Sequence, residues 1–174
     1  MTTESGQARS EAEMKRHVLV IPADVTITGY RKATAVSRDH EIHTGESAAI
    51  GGDGSAPSPL QYFVSSVVIL EHSHVGQYAQ AMKVVLKKVA VHVDGHFWRS
   101  GSVLNDTIEA GCDKLVIHFE VESDEDPSLI AAVLRNSHKG CYVRGAIGVP
   151  IEDTLNVNGK PFDFDAYDHP HRDE

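Results

Sequence analysis

Residues 51–70 read "GGDGSAPSPLQYFVSSVVIL", and the fold turns on how this stretch is divided. Residues 50–61 hold three glycines and two prolines, the punctuation of a loop. The loop ends in a helix-start signature. Ser58 is placed to cap, Pro59 suits the first helical position, and Gln61 completes an S-x-x-Q capping box. Apolar residues then recur at helical spacing: Leu60, Phe63, Val64, Val67, Val68 and Leu70, followed by Val75, Tyr78, Ala79 and Met82. From Tyr62 to Leu70 the helix is apolar nearly all round, so burial on most faces is expected. A helix from 59 to about 82 would be ~36 Å long, enough to cross the whole core or to pass between two subunits.

Short β-like segments precede this helix. "DVTIT" (24–28) alternates, with Val25 and Ile27 on one face, and "KATAVS" and "HEIHT" continue an antiparallel meander. After the helix, 84–98 and 114–123 alternate in the same way. Val89, Val91 and Val93 share one face of the first; Leu115, Ile117, Phe119 and Val121 share one face of the second. "DPSLIAAVLRNSHKG" (126–140) predicts a second helix, capped by Asp126, opened by Pro127 and closed by Gly140. A last strand segment over 149–162 contains an Asn158-Gly159 turn. Meander, long helix, two strands, helix and strand make an α+β fold.

The chain has 174 residues, 41% of them hydrophobic, and a formal net charge of −9. That size predicts one domain over 17–162, between an N-terminal arm (1–16) and an acidic tail (163–174). No basic block offsets the negative charge, which argues against a nucleic-acid binder. No apolar run reaches the ~20 residues needed to cross a bilayer, and the first residues lack a signal-peptide pattern, so the cytoplasm is the expected compartment. There is no P-loop, no GxGxxG and no CxxC pair, so neither a cofactor nor a zinc site is expected.

Few residues carry chemistry. Cys141, in "KGCYVRG", follows the second helix with Arg144 three residues on; a helical turn there would bring the guanidinium near the sulfur and favour the thiolate. Cys112 lies in an expected loop beside acidic residues, a poor setting for a thiolate. Glu71 and His74 stand three apart on the long helix, a spacing that lets a carboxylate orient an imidazole or share a metal with it. His72 and His74 diverge by ~200° of helix rotation and cannot chelate together. His92, His96 and His118 fall on or beside solvent-facing strand positions, and Arg38 lies on a β-like segment before the glycine loop.

Taken in order, these features resemble the OsmC/Ohr family, the osmotically inducible and organic hydroperoxide resistance proteins. The matching segments are Gly51-Gly52, Gly54, Pro57-Ser58-Pro59, the helix with Tyr78-Ala79 at its far end, "EVESDEDP", "HKGC" and "VNGKPF". They span roughly residues 24–162. The resemblance implies an intertwined homodimer around two long central helices. It also implies reduction of organic hydroperoxides by two cysteines. The first, on the central helix, attacks as thiolate and becomes a sulfenic acid; the second resolves it as a disulfide. An arginine from the meander and a glutamate near the helix hold the attacking thiolate.

One departure changes that expectation. Counted without gaps from Pro57-Ser58-Pro59-Leu60 to Tyr78-Ala79, the attacking cysteine's position falls on Leu70. Cys141 matches the second cysteine and Arg38 the arginine, whereas the family's glutamate has no matched residue, Glu46 lying in a loosely aligned segment. Leucine neither ionises nor forms a disulfide, so the two-cysteine cycle cannot run as it stands. Three readings follow. The scaffold holds an apolar pocket at a dimer interface and binds or transforms a small organic molecule with His74 and Cys141, Glu71 and Arg38 being polar partners. Alternatively, Cys141 alone reduces hydroperoxides, resolved by an external thiol. In the third reading His74 and Glu71 hold a metal.

Overall fold

The computed structural model describes residues 18–166, which form two compact units divided between Ser58 and Pro59. The expected N-terminal arm, and the tail from residue 167 on, lie outside the described residues.

The first unit is the antiparallel meander: β1 (Asp24–Gly29), β2 (Lys32–Ser37) and β3 (His40–Thr44), in that order. Val25 and Ile27 do share a face, but that face is exposed in the single chain. The glycine loop that follows satisfies its own donors. Gly51, Gly52 and Gly54 give their N–H groups to the carbonyls of Ala48, Ser47 and Glu46. No cradle of free N–H groups is left there for a phosphate.

The second unit starts with α1 (Pro59–Met82), at the proline the capping signature indicates. A four-stranded sheet follows, β4 (Lys88–Ser100), β5 (Glu109–Glu122), β6 (Ile151–Val157) and β7 (Lys160–Phe162), in spatial order β4-β5-β6-β7. Helices α2 (Pro127–Gly140) and α3 (Tyr142–Ala146) cross from β5 to β6, which therefore run parallel, while β4 and β7 are antiparallel to their neighbours. The parallel crossover and the short helix α3 are not legible from strand periodicity. Cys112 lies within β5 rather than in the expected loop.

Alternation builds the core. Leu115, Ile117, Phe119 and Val121 of β5 are all buried, beside Val89, Val91 and Val93 of β4 and Leu155 and Val157 of β6. Against this face pack the α2 residues Ile130, Ala131, Val133 and Leu134 and the α1 residues Val67, Val75 and Ala79. Each fully buried Val, Leu or Ile here is worth about 1.5–3 kcal/mol relative to exposure. Asp126 caps α2 as its sequence predicts, accepting from the Ser128 amide at 2.8 Å. Asn158 and Gly159 both take positive φ, 51° and 75°, as a two-residue hairpin between β6 and β7 requires.

Two expectations are corrected. In the single chain α1 buries one stripe, Val67, Glu71, Val75 and Ala79, and leaves Leu60, Phe63 and Ile69 exposed, the last at 65%. Gly140 is the last residue of α2 and not its cap, which is Cys141 in extended backbone. A Cβ at position 140 would overlap the Tyr78 hydroxyl and sit 3.1 Å from its Cζ, so a close approach to α1 requires the glycine. Of the expected acidic tail (163–174), only residues to 166 are described. Residues Phe164–Ala166 form a helical turn held by Arg135, whose Nη1 donates to the Phe164 carbonyl at 3.0 Å.

Candidate functional site

Position 70 is the natural place to begin. Leu70 is half-buried on α1, and its carbonyl lies 3.0 Å from His74 Nδ1, one turn on. A carbonyl only accepts, so Nδ1 carries a proton, and in the neutral ring Nε2 then keeps its lone pair. The His74 ring stacks on Tyr78 at 5.8 Å and meets Tyr142 of α3 edge-on at 6.1 Å. Between Gly140, pressed against Tyr78, and Tyr142 stands Cys141, 3% exposed. Thus α1 and the α2–α3 corner bring Tyr78, His74, Tyr142 and Cys141 into one neighbourhood. Both cysteines are free thiols.

Glu71 is not in that group. It occupies the buried stripe of α1 between Val67 and Val75 and is wholly inaccessible to solvent. The expected Glu71–His74 pair is therefore corrected: the carboxylate turns inward and His74 bonds its own helix backbone. Arg144 Nη1 lies 3.4 Å from both Glu71 oxygens. The same guanidinium takes Asp153 of β6 in a fork, at 2.9 and 2.5 Å. His138 of α2 completes the cluster. Its Nε2 is 2.8 Å from Glu71 Oε1, close enough for an ion pair, yet the carboxylate is off the axis of a ring N–H and no aligned hydrogen-bond partner faces this buried nitrogen. His138 Nδ1 lies 3.7 Å from Asp153 Oδ2.

Burial by itself disfavours the charged guanidinium of Arg144. The Asp153 hydrogen bonds and the charges of Glu71 and Asp153 outweigh it, so the pKa of Arg144 is raised. This guanidinium is committed to two carboxylates, so the expectation that it activates Cys141 is replaced by a different role: it ties α3 to α1 and β6.

His138 and Asp153 were not among the residues singled out from sequence, although a signal exists. Glu71 falls in phase with Val67 and Val75, His138 with Leu134, and Asp153 with Ile151 and Leu155 on the inward face of β6. A titratable residue in an apolar phase on three separate elements marks a buried ionic cluster. The remaining candidates are elsewhere. Arg38 is an exposed residue of the β2–β3 turn, with φ 54°, in the first unit. His92 and His118 face each other across β4 and β5, with His118 Nδ1 2.7 Å from Thr154 Oγ1. Among the described residues no group of three or more His, Cys, Asp or Glu side chains is placed to hold a metal ion.

A long helix entered from a glycine-rich loop, a four-stranded sheet and a cysteine at the α2–α3 corner agree with a family whose model, OsmC-like protein, matches residues 52–154. The chain belongs to the OsmC-like family. Its fold is that of an OsmC-like protein from Mycoplasma pneumoniae, with TM-score 0.66 and 17% identity over 83% of this chain and 99% of that one. An OsmC-like protein of unknown function from Vibrio cholerae aligns with TM-score 0.66 and 11% identity, over 80% of this chain and all of that one. The organic hydroperoxide resistance protein OsmC from Legionella pneumophila aligns with TM-score 0.60 and 17% identity, over 82% and 98%. At these identities the likeness carries the OsmC-like fold and not the activity. No curated protein matches this OsmC-like chain in sequence. Among its described residues no helix is long and apolar enough to cross a membrane.

Proposed function

We propose that this OsmC-like chain binds a small organic molecule beside Leu70 and does not reduce hydroperoxides by a two-cysteine cycle. The carrying observation is the chemistry of the neighbourhood: Leu70 is followed one turn later by a histidine set between two tyrosine rings. Leucine offers no sulfur to attack a peroxide or to pair with Cys141. Aromatic walls suit a flat apolar ligand, and the His74 Nε2 lone pair suits a hydroxyl or N–H on it. His74 is then the polar anchor and Cys141 a wall. Arg38 enters this reading through the family resemblance alone.

The same reading holds the protein to be a homodimer built on α1. Its support is the apolar surface that the single chain leaves in water, Leu60, Phe63 and Ile69 on the helix and Trp98 on β4. Large apolar side chains left in water around one helix are surface that a partner chain would bury.

A peroxidase assay separates the readings. Cumene hydroperoxide with a dithiol or lipoyl-type donor should show no turnover above the uncatalysed rate, and Cys141→Ser should change nothing. Turnover that disappears in Cys141→Ser would establish the one-cysteine peroxidase instead.

A further inference from the structure

We propose that the chain has a further small-molecule site, a cavity between α1 and the start of β4 that takes an uncharged apolar molecule carrying one hydrogen-bonding group. The cavity measures about 520 Å³, within the range that small organic ligands occupy. Its floor is Val75, Ala79 and Val84, all buried, and Val85, Leu86 and Val89 form the facing wall. His72, Gly76 and Gln80, each one turn apart on α1, line its mouth. His72 stands ~200° around the helix from His74, so this cavity and the Leu70 neighbourhood lie on different flanks of α1. The site is therefore separate from the one in the proposed function.

Hydrogen bonds hold the cavity open. The Val84 N–H donates to the Ala79 carbonyl at 2.9 Å, at the end of α1. The next residues are tied the other way. The Val85 N–H donates to Glu125 Oε1 at 3.1 Å, the Val85 carbonyl accepts from Ser123 Oγ at 2.6 Å, and the Lys87 N–H donates to the Glu122 carbonyl at 2.9 Å. The wall is thereby fixed to residues 122–125, and a wedge remains between it and the helix. Gly76 points to the same space. A Cβ there would meet no neighbour within 4 Å among the described residues, and its φ is not positive. Neither a turn nor a close approach calls for glycine at 76, unlike Gly140, although glycine is unfavourable inside a helix. Its missing side chain leaves the cavity free. The charge of the ligand follows from the rim. Lys87 Nζ is 2.6 Å from Asp124 and Lys88 Nζ 3.2 Å from Glu122, so both cations are already matched by carboxylates and an ionised ligand would have to displace a pair. The His72 ring and the Gln80 amide remain as hydrogen-bonding groups.

The uncharged fluorophore N-phenyl-1-naphthylamine, titrated into the full chain, tests this site. Saturable binding of one probe per chain is expected, with methyl NMR shifts concentrated on Val75, Val84, Val85 and Val89. Gly76→Leu fills the cavity from the helix side and should weaken that binding about tenfold or more, with the circular dichroism unchanged. Equal affinity in the wild type and a folded Gly76→Leu overturns the site. Shifts centred on Leu70 in place of the four valines also overturn it, and leave the proposed function standing. Absence of saturable binding overturns it as well; if Gly76→Leu then converts a dimer to a monomer in sedimentation, the occupant of the cavity is a second copy of the chain. If the variant does not fold, the methyl shifts of the wild type decide alone.

Discussion

Arg144 and Asp153 are joined by a two-pronged ion pair, Nη1 to Oδ1 at 2.9 Å and Nη2 to Oδ2 at 2.5 Å, and both side chains are largely buried. The pair spans from α3 to β6, and through Nη1 it also reaches Glu71 on α1. The neighbouring elements α3 and β6 thereby meet α1, 73 residues away in sequence, at one guanidinium. Removing it strands two carboxylates, one of them without any solvent contact.

Arg144→Met should therefore destabilise the fold by about 3–5 kcal/mol, the usual penalty for leaving a buried charge without its partner. Urea unfolding followed by circular dichroism measures this directly. A loss below about 1 kcal/mol would mean the pair behaves like an exposed one.

Acid should loosen the start of α2. The Ser128 hydroxyl, then the Ser128 amide, hold the Asp126 carboxyl below its ordinary pKa. A group lowered in the folded state adds stability above its unfolded value, about pH 4, and loses it as pH falls through the folded value. Asp126→Ala should lower the urea midpoint at neutral pH, and the gap from wild type should narrow in acid. A gap that is constant with pH would assign the effect to helix propensity rather than to the charged cap.

Gly140→Ala forces a Cβ against the Tyr78 ring, and a cost of about 1–3 kcal/mol is expected for such overpacking. Tyr78→Phe removes the hydroxyl that the new methyl meets first, so the double variant should recover part of the loss. A double-mutant cycle on unfolding free energies reads this coupling. Additive losses would show that the ring shifts without strain.

Ile69→Asp puts a charge on the most exposed large apolar residue of α1. Sedimentation should show the wild type as a dimer and Ile69→Asp as a monomer with unchanged helix content. A monomeric wild type at micromolar concentration would remove the homodimer from the proposed function.

Much of the fold is readable in the chain because local rules agree with one another. Pro59 opens α1, Asp126 and Pro127 open α2, and Asn158-Gly159 sets the last hairpin. Each is an interaction within a few residues, so tertiary context has little to override. Where the residues fail to predict the structure, the cause is distance along the chain. Glu71 has an apparent partner in His74, three residues away. Its actual partners come from 67 and 73 positions downstream. Helical spacing shows that two side chains can meet, but it does not show which one turns inward.

The sequence by itself determined the strands, the two long helices and the absence of sulfur at Leu70, since these follow from periodicity, capping and residue identity. Only the tertiary structure decided that β5 and β6 run parallel, that Gly140 exists for Tyr78, and that Glu71, His138, Arg144 and Asp153 form one buried cluster. The physical reason is that a buried charge is tolerated only where opposite charges converge on it, and that convergence comes from packing α1, α2 and α3 on the sheet.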